Sequence, residues 1–374
     1  MIYEVHPKQT NELYSSPIVQ QTAFWSSVKE RMGINTLALD YKASLPANAI
    51  DSNPKIKRIA DLLVVLQPID KNHVIAYVPY GPELEPAEEL QGCFLEQLSE
   101  SIKPYLPKEC VLIRYDLSWE SHWAKDHDYY DSKGLWLGPP EITTQEMRFN
   151  FSTENWNLRK ASTNILPSNT LFINLRKSPE AILKQMKPKT RYNIGLSQRK
   201  GVRVKSAGIE NLDVWYTLYT ETANRNGVYL HNIEYFRAVL QAKVSNTQSP
   251  ADVRLLVAEK DEIPLAAMFL VMSKNRAYYL YGASANQGRQ LMATYALQWQ
   301  AMLTAQNMGC TEYDMFGLAP RPNPTHPMYG LYRFKTGFGG EQFHRMGCWD
   351  YPLDTELYSF YTTMEQNNQG FHLS

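Results

Sequence analysis

The sequence predicts an α+β protein built from two copies of one unit. Three observations carry this. The chain has 374 residues, and a single hydrophobic core stops growing at about 250–300 residues. A β-hairpin, a helix and a further short strand follow one another twice along it. The dipeptides Tyr80-Gly81 and Tyr115-Asp116 of the first copy recur as Tyr281-Gly282 and Tyr313-Asp314 in the second.

The first copy opens with an aromatic-rich helix over 22–32, and Gly33 stands in a helix-stop position. From Asp61 the run DLLVVLQPID, a turn at Lys71-Asn72 and the run HVIAYVPYGP read as the hairpin. A helical stretch extends from Pro86 to about Tyr105, and the apolar strand CVLIRYD ends at Asp116. The second copy opens with a helix over 212–226, stopped by Gly227. From Asp252 the run DVRLLVAEKDEIPLAAMFLVMS, a turn at Lys274-Asn275 and RAYYLYGAS repeat the hairpin. A helix over about 291–307 and the segment CTEYDMFG complete it, with Asp314 in the place of Asp116. Between the copies, residues 119–168 are polar and aromatic, and Gly138-Pro139-Pro140 marks turns. The crossing between domains is expected at 165–171. The segment 348–374 finds no repeat partner in the sequence and is expected to pack back on the first domain. The expected domains are therefore 1–165, joined by 346–374, and 166–345.

Composition narrows the function. Lys+Arg and Asp+Glu both total 38, so the formal net charge is +0. No whole-protein basic field exists for nucleic acid, and any phosphate contact must come from a local patch. The four cysteines, Cys93, Cys110, Cys310 and Cys348, lack metal-ligand or redox spacing, and the eight histidines form no HxxxH or HExxH pair. No metal site is expected. The N-terminal MIYEVHPKQTNELY has polar residues where a signal peptide needs an apolar stretch. The longest apolar runs are strand-sized, short of the roughly 20 residues of a membrane span. A cytoplasmic, soluble protein is expected.

Two stretches could carry chemistry. Residues 187–205, KPKTRYNIGLSQRKGVRVK, hold Lys187, Lys189, Arg191, Arg199, Lys200, Arg203 and Lys205 without an acid. Ser178-Pro179-Glu180 reads as the start of a helix that carries Arg191, Ile194 and Gln198 and ends at Gly201. The stretch reads either as an anion-binding face, for tRNA or a nucleotide pyrophosphate, or as a solvated basic helix face. In YGLYRFKTGFGGE, Lys335 sits among Phe334, Phe338 and three glycines, after a loop carrying Pro320, Pro322, Pro324 and Pro327. On residue physics alone it reads first as a surface lysine snorkelling over an aromatic strand. Second, it reads as an ammonium aimed at a developing oxyanion or a phosphate. No GxSxG elbow, Walker loop or GxGxxG is present. Catalysis would have to proceed by positioning and electrostatics.

The ordered series QQTAFWSSVKERMG, KPKTRYNIGLSQRKGV, TANRNGVYLHNIEYF, YYLYGAS, YDMFGLAP and GLYRFKTGFGG resembles the Fem-type peptidyltransferases of peptidoglycan bridge formation, over nearly the whole chain. The resemblance implies two tandem GCN5-related acetyltransferase-like domains, with mixed, mostly antiparallel sheets flanked by helices. It also implies an aminoacyltransferase. The donor would be aminoacyl-tRNA. The acceptor would be the side-chain amine of a UDP-MurNAc-peptide or a lipid-linked muropeptide.

Carried over by residue, Lys335 resembles the family's catalytic lysine, with Phe334 beside it. Lys29 resembles a lysine that contacts the nucleotide-sugar diphosphate, and Tyr235 and Tyr281 resemble tyrosines lining the muropeptide site. Arg191 falls within a matched motif and is expected to bind substrate. His231 stands where the family pattern usually has an arginine, and histidine is a weaker, pH-dependent phosphate partner. Residues 286–294, NQGRQLMAT, cannot be aligned to the pyrophosphate loop of acetyl-CoA enzymes, so no CoA and no other cofactor is expected. The span 206–250 shows no sustained heptads, which implies a member without a coiled-coil arm. A monomer working in the cytoplasm, at most peripheral to the membrane's inner face, is expected. The alternatives are an N-acyltransferase of another envelope precursor, exopolysaccharide or protein N-terminus, and a non-catalytic muropeptide-binding protein.

Overall fold

A computed structural model describes residues 2–45, 56–227, 230–326 and 328–367. Val228 and Tyr229 of the TANRNGVYLHNIEYF run, Pro327, and residues 368–374 of the C-terminal stretch lie outside the described residues.

The chain divides into two compact units. The first holds residues 1–168, 244–249 and 344–374, and the second holds 169–243 and 250–343. The contiguous boundaries 166–345 thus misplace 244–249. Backbone polar groups explain why. Gln248 N donates to Asn11 O at 3.2 Å, and Ser249 Oγ accepts from Ala23 N at 3.0 Å, satisfying a helix-start donor of the first unit.

In chain order the first unit contains β1 (Ile2–Lys8), α1 (Ala23–Arg31), β2 (Thr36–Leu45), β3 (Ile56–Pro68), β4 (Val74–Val78), α2 (Gln91–Ile102), β5 (Cys110–Glu120), α3 (Ile142–Asn150) and β6 (Arg159–Lys160). The second contains β7 (Asn169–Asn174), α4 (Pro179–Gln185), α5 (Pro188–Arg199), β8 (Arg203–Ala207), α6 (Leu212–Asn226), α7 (Ile233–Gln241), β9 (Ala251–Lys260), β10 (Ile263–Ser273), β11 (Arg276–Ser284), α8 (Ala293–Asn307), β12 (Glu312–Asp314) and α9 (Tyr329–Lys335). From His344 onward, β13 (Glu341–Pro352) and α10 (Thr355–Asn367) return to the first unit.

The two sheets share one plan. The first runs β1-β2-β3-β4-β5-β13, and the second runs β8-β9-β10-β11-β12-β7. In each, the fourth and fifth strands are parallel, β4 with β5 and β11 with β12. A parallel pair needs a crossover, which α2 and α8 supply. The other pairings within each unit are antiparallel. The C-terminal segment therefore does have a repeat counterpart. β13 is the sixth strand of the first sheet as β7 is of the second, but it arrives from the opposite end of the chain, where a sequence repeat does not reveal it.

Two local readings are corrected. The run from Asp252 is two strands, β9 and β10, folded at Asp261-Glu262 with φ of 50 and 64. Two consecutive left-handed residues make the hairpin turn that Asn-Gly usually signals, and Asp-Glu does not signal it. The helix beginning at Ser178 is also two helices. Ser178 Oγ caps α4 by accepting Ala181 N at 3.3 Å. Pro188 then breaks the helix, because it has no N–H and pushes Lys187 (ψ 146) out of the helical region.

The main core of the second unit packs α5, α8 and α9 on one sheet face, through Ile194, Met268, Leu270, Leu297 and Tyr332 among others. On the other face, Trp215 and Tyr219 of α6 and Phe236 of α7 pack against Phe269 and each other.

Candidate functional site

The site of interest forms where β11 and β12 part. They pair only at Arg276, Ala277 and Tyr278, opposite Glu312, Tyr313 and Asp314. Beyond Asp314 the chain stays with β7 instead, as Met315 N donates to Leu171 O and Leu318 N to Asn169 O, both at 2.9 Å. β11 runs on with β10 to Ser284. The two strands are held by different neighbours and so splay.

A bulge at Leu280 sharpens the division. Pairing with β10 slips from Leu270–Tyr279 to Phe269–Tyr281. Alternation alone would place Tyr279 and Tyr281 on one face. The extra residue turns Tyr281 to the opposite face, toward Phe236 and Phe269, while Tyr279 stays with α8 and α9.

Lys335 ends α9 and is only 4% exposed. The surface-lysine reading is therefore overturned, and the segment is a helix rather than a strand. Its Nζ donates to the carbonyls of Phe316 (3.1 Å) and Gly317 (2.6 Å), on the rim of the split, and lies 5.3 Å from the centre of the Tyr279 ring. Those carbonyls face it because Phe316 adopts φ 57, a left-handed conformation unusual for a bulky residue. Asp314 holds that turn: its Oδ1 accepts Phe316 N at 2.7 Å and the Thr170 hydroxyl. Burial pulls the Lys335 pKa down to about 7, with the Asp314 charge opposing the shift. An ammonium has three donors; two are engaged, and no described residue takes the third. Phe334 contributes no reactive group. Its ring packs edge-on against Tyr295 (5.0 Å) and Phe338 (5.2 Å), which fixes the last turn of α9.

Tyr235, Tyr281 and His231 come together on the other face. Tyr235 Oη and Tyr281 Oη share a hydrogen bond of 2.5 Å. The His231 ring stacks on Tyr235 at 4.7 Å and 21°. Burial raises the Tyr235 pKa to about 12 and holds that of Tyr281 well above the usual phenol range, so both phenols remain protonated. Asn232 Oδ1 caps α7 by accepting Tyr235 N at 3.0 Å, which sets Tyr235 at the start of the helix.

Arg191 is exposed on α5. Its Nη1 donates to the carbonyls of Met186 and Lys184, closing the end of α4. Lys29 belongs to the first unit. Its ammonium lies 5.5 Å from the Trp25 ring, and burial lowers its pKa. Sequence reasoning missed Tyr279, Asp314 and the Phe316 turn as parts of the Lys335 setting. The one available signal was that YYLYGAS and YDMFGLAP contain them. No cluster of metal-ligating residues occurs among the described residues, and none of their helices is long and apolar enough to cross a membrane.

A split parallel pair with a buried lysine at its rim, on a twice-used α+β unit, defines the class of fold. The model of the FemAB family matches residues 11–243 and 241–366, and the chain belongs to that family. It is 23% identical over 251 residues to a lipid II:glycine glycyltransferase of Staphylococcus saprophyticus, covering 52% of this chain and 60% of that protein. It is also 23% identical over 256 residues to the protein of that name from Staphylococcus aureus USA300, covering 52% and 61%. The chain thus spans about 60% of the length of the curated relatives it matches. The crystal structure of FemX superposes with a TM-score of 0.70 at 17% identity, over 96% of this chain and 100% of that one, which establishes the fold.

Proposed function

We propose that this protein transfers an amino acid from aminoacyl-tRNA to the side-chain amine of a peptidoglycan stem peptide. The observation that carries the reading is Lys335, a buried ammonium with one donor left over, held at the rim of the β11–β12 split. The substrate class is supported by the name of the relatives, lipid II:glycine glycyltransferase. The acceptor amine attacks the ester carbonyl of the donor, a C–N bond forms, and the ester C–O bond breaks. The amine's proton ends on the departing ribose oxygen. The donor is already an activated ester, so no covalent enzyme intermediate is needed. Lys335 supplies the positive charge that the tetrahedral oxyanion requires, in a water-poor setting where that charge acts strongly. The Tyr235–Tyr281 pair offers hydroxyls to the acceptor peptide, and His231, stacked beside it, is assigned to an acceptor phosphate. Lys29 keeps its reading as a phosphate-binding cation of the first unit. Arg191 is reassigned from substrate to backbone support. The reaction is placed in the cytoplasm, where both substrates are made.

The test is to mix the protein with charged tRNA and a UDP-muramyl pentapeptide and weigh the product. The expected result is one or more added aminoacyl residues, only when charged tRNA is present. Binding without any mass gain would indicate a precursor-binding protein instead. Acetyl-CoA should neither acylate the precursor nor raise Tm; a ligand at 100 times its Kd stabilises by about 2.7 kcal/mol, which is easily seen. A CoA-dependent shift would support an ordinary acetyltransferase.

His231→Arg supplies a second check. A permanent, forked cation binds phosphate better than imidazole, so precursor affinity should tighten several-fold. Titration calorimetry showing equal affinity would remove His231 from the phosphate contact.

A further inference from the structure

The basic stretch that the sequence left open between two readings lies at the surface of the second unit. Lys189, Tyr192 and Arg199 of α5 and Lys200, which caps its end, stand at i, i+3, i+10 and i+11, which a helix of 3.6 residues per turn places on one stripe. All four are exposed, while Thr190, Asn193, Ile194 and Ser197 face the core. Lys184 of α4, Lys187 between the helices and Arg203 of β8 extend the exposed charge. None of these cations makes an ion pair among the described residues, and Glu180 is the only acid within residues 176–206. Lys205, next along, is different: Glu259 neutralises it at 2.8 Å. In a chain of zero net charge, this is a strong local excess of positive charge.

Two further features narrow the partner. Tyr192 is 60% exposed, and the Arg199 guanidinium lies over its ring at 5.8 Å, with Gly195 leaving room for it. An exposed aromatic interleaved with cations suits a stacked base as well as phosphate. No Trp, Phe, Leu or Ile is exposed along α5 to insert into a bilayer. The face also leads to the lysine. Lys187 Nζ donates to Thr336 Oγ1 at 3.5 Å and Lys187 N to Gly337 O at 2.8 Å, and Thr336 follows Lys335 directly.

We infer that the face of α4, α5 and β8 docks the phosphate backbone of the RNA that carries the donor amino acid, and so presents the RNA's 3′ end to Lys335. This rests on the aminoacyl-tRNA donor proposed above. Tyr192 stacks on an unpaired base, and Lys184, Lys187, Lys189, Arg199, Lys200 and Arg203 neutralise phosphates.

The experiment measures binding of a fluorescent RNA hairpin with an unpaired 3′ tail to the full chain, by anisotropy across a salt series. Lys189→Ala/Arg199→Ala/Lys200→Ala should weaken binding on the order of 10- to 100-fold at about 0.1 M salt and flatten the log Kd against log salt slope by about two to three. Tyr192→Ala should weaken binding without changing that slope, and Lys205→Ala should change neither. In transfer assays the triple variant should raise the KM for charged tRNA and retain kcat, with an unchanged circular dichroism melt. If the wild type binds RNA and transfers, and the triple variant does both equally well, the docking face is refuted and the donor stands. If the wild type neither binds RNA nor uses charged tRNA, the donor reading itself is refuted. A triple variant that loses binding to phosphatidylglycerol vesicles but not to the hairpin would assign the face to membrane and overturn the inference.

Discussion

Replacing Lys335 with alanine is expected to lower kcat on the order of 100- to 1000-fold, the usual effect of removing one oxyanion donor. The precursor Kd should hardly change, because the charge that Lys335 meets exists only in the transition state. Tm should also stay near the wild-type value. The substitution forfeits two hydrogen bonds to Phe316 and Gly317 carbonyls, but it also removes a buried cation whose desolvation is already visible in its lowered pKa. Single-turnover kinetics with preformed complex separate the two steps. A raised precursor Kd with normal turnover at saturation would make Lys335 a binding residue and sink the oxyanion role.

The pKa of about 7 adds a sharper version of the same test. The attacking amine must be unprotonated, and its neutral fraction grows with pH. If the Lys335 ammonium is the active form, log kcat/KM should rise with a slope of about one below pH 7 and then flatten, as loss of the ammonium cancels the gain in free amine. If neutral Lys335 were instead the general base, both fractions would rise together and the slope below pH 7 would be about two. Lys335→Arg keeps its charge throughout, so its profile should lose the break. It should recover only part of the rate, since a planar fork does not reproduce a compact ammonium between two carbonyls.

The repeat was legible because its parallel pair is local: a hairpin, a crossover helix and the next strand occupy one contiguous stretch, each time closing on Tyr-Asp. What the sequence hid was non-local or carried by backbone. The sixth strand of the first sheet comes from Trp349 and its neighbours, paired with Tyr115 across a whole intervening unit. The Leu280 bulge leaves no mark in YYLYGAS, yet it decides that Tyr279 joins Lys335 and Tyr281 joins Tyr235. The Phe316 turn was hidden because a non-glycine residue occupies a left-handed position next to a glycine that would more readily do so. Lys335 itself was picked out by its motif, but its burial was misjudged, because YGLYRFK is too short to declare a helix by periodicity. The basic stretch was legible as charge and illegible as a face until α4 and α5 were separated at Pro188.

Arg114→Met is expected to give the largest loss of stability. Arg114 lies in β5 with no exposed side-chain surface. Its guanidinium donates to both carboxylate oxygens of Asp350 at 2.7 and 2.8 Å, and to both of Glu365 at 2.6 and 3.0 Å, with the Tyr361 ring at 5.5 Å. These contacts join three segments far apart in the chain, β5, β13 and α10, and they add to the Tyr358–Asp350 hydrogen bond and to the packing of Leu357, Tyr358 and Tyr361 on Ile75, Val111 and Leu112. A buried ion pair adds little over a well-packed apolar replacement, because desolvation offsets its Coulomb energy. Removing only the cation is another matter. It leaves two buried carboxylates with hydroxyl partners but without their guanidinium counter-charge, with an expected loss of about 3–5 kcal/mol. Denaturant unfolding should show this as a lower midpoint, and proteolysis should release α10 first. Adding Asp350→Asn and Glu365→Gln to Arg114→Met should restore much of the loss, because the cost lies in uncompensated charge rather than in the missing contacts. If the triple variant is as unstable as the single one, packing around the guanidinium stem, and not charge pairing, is what holds α10 in place.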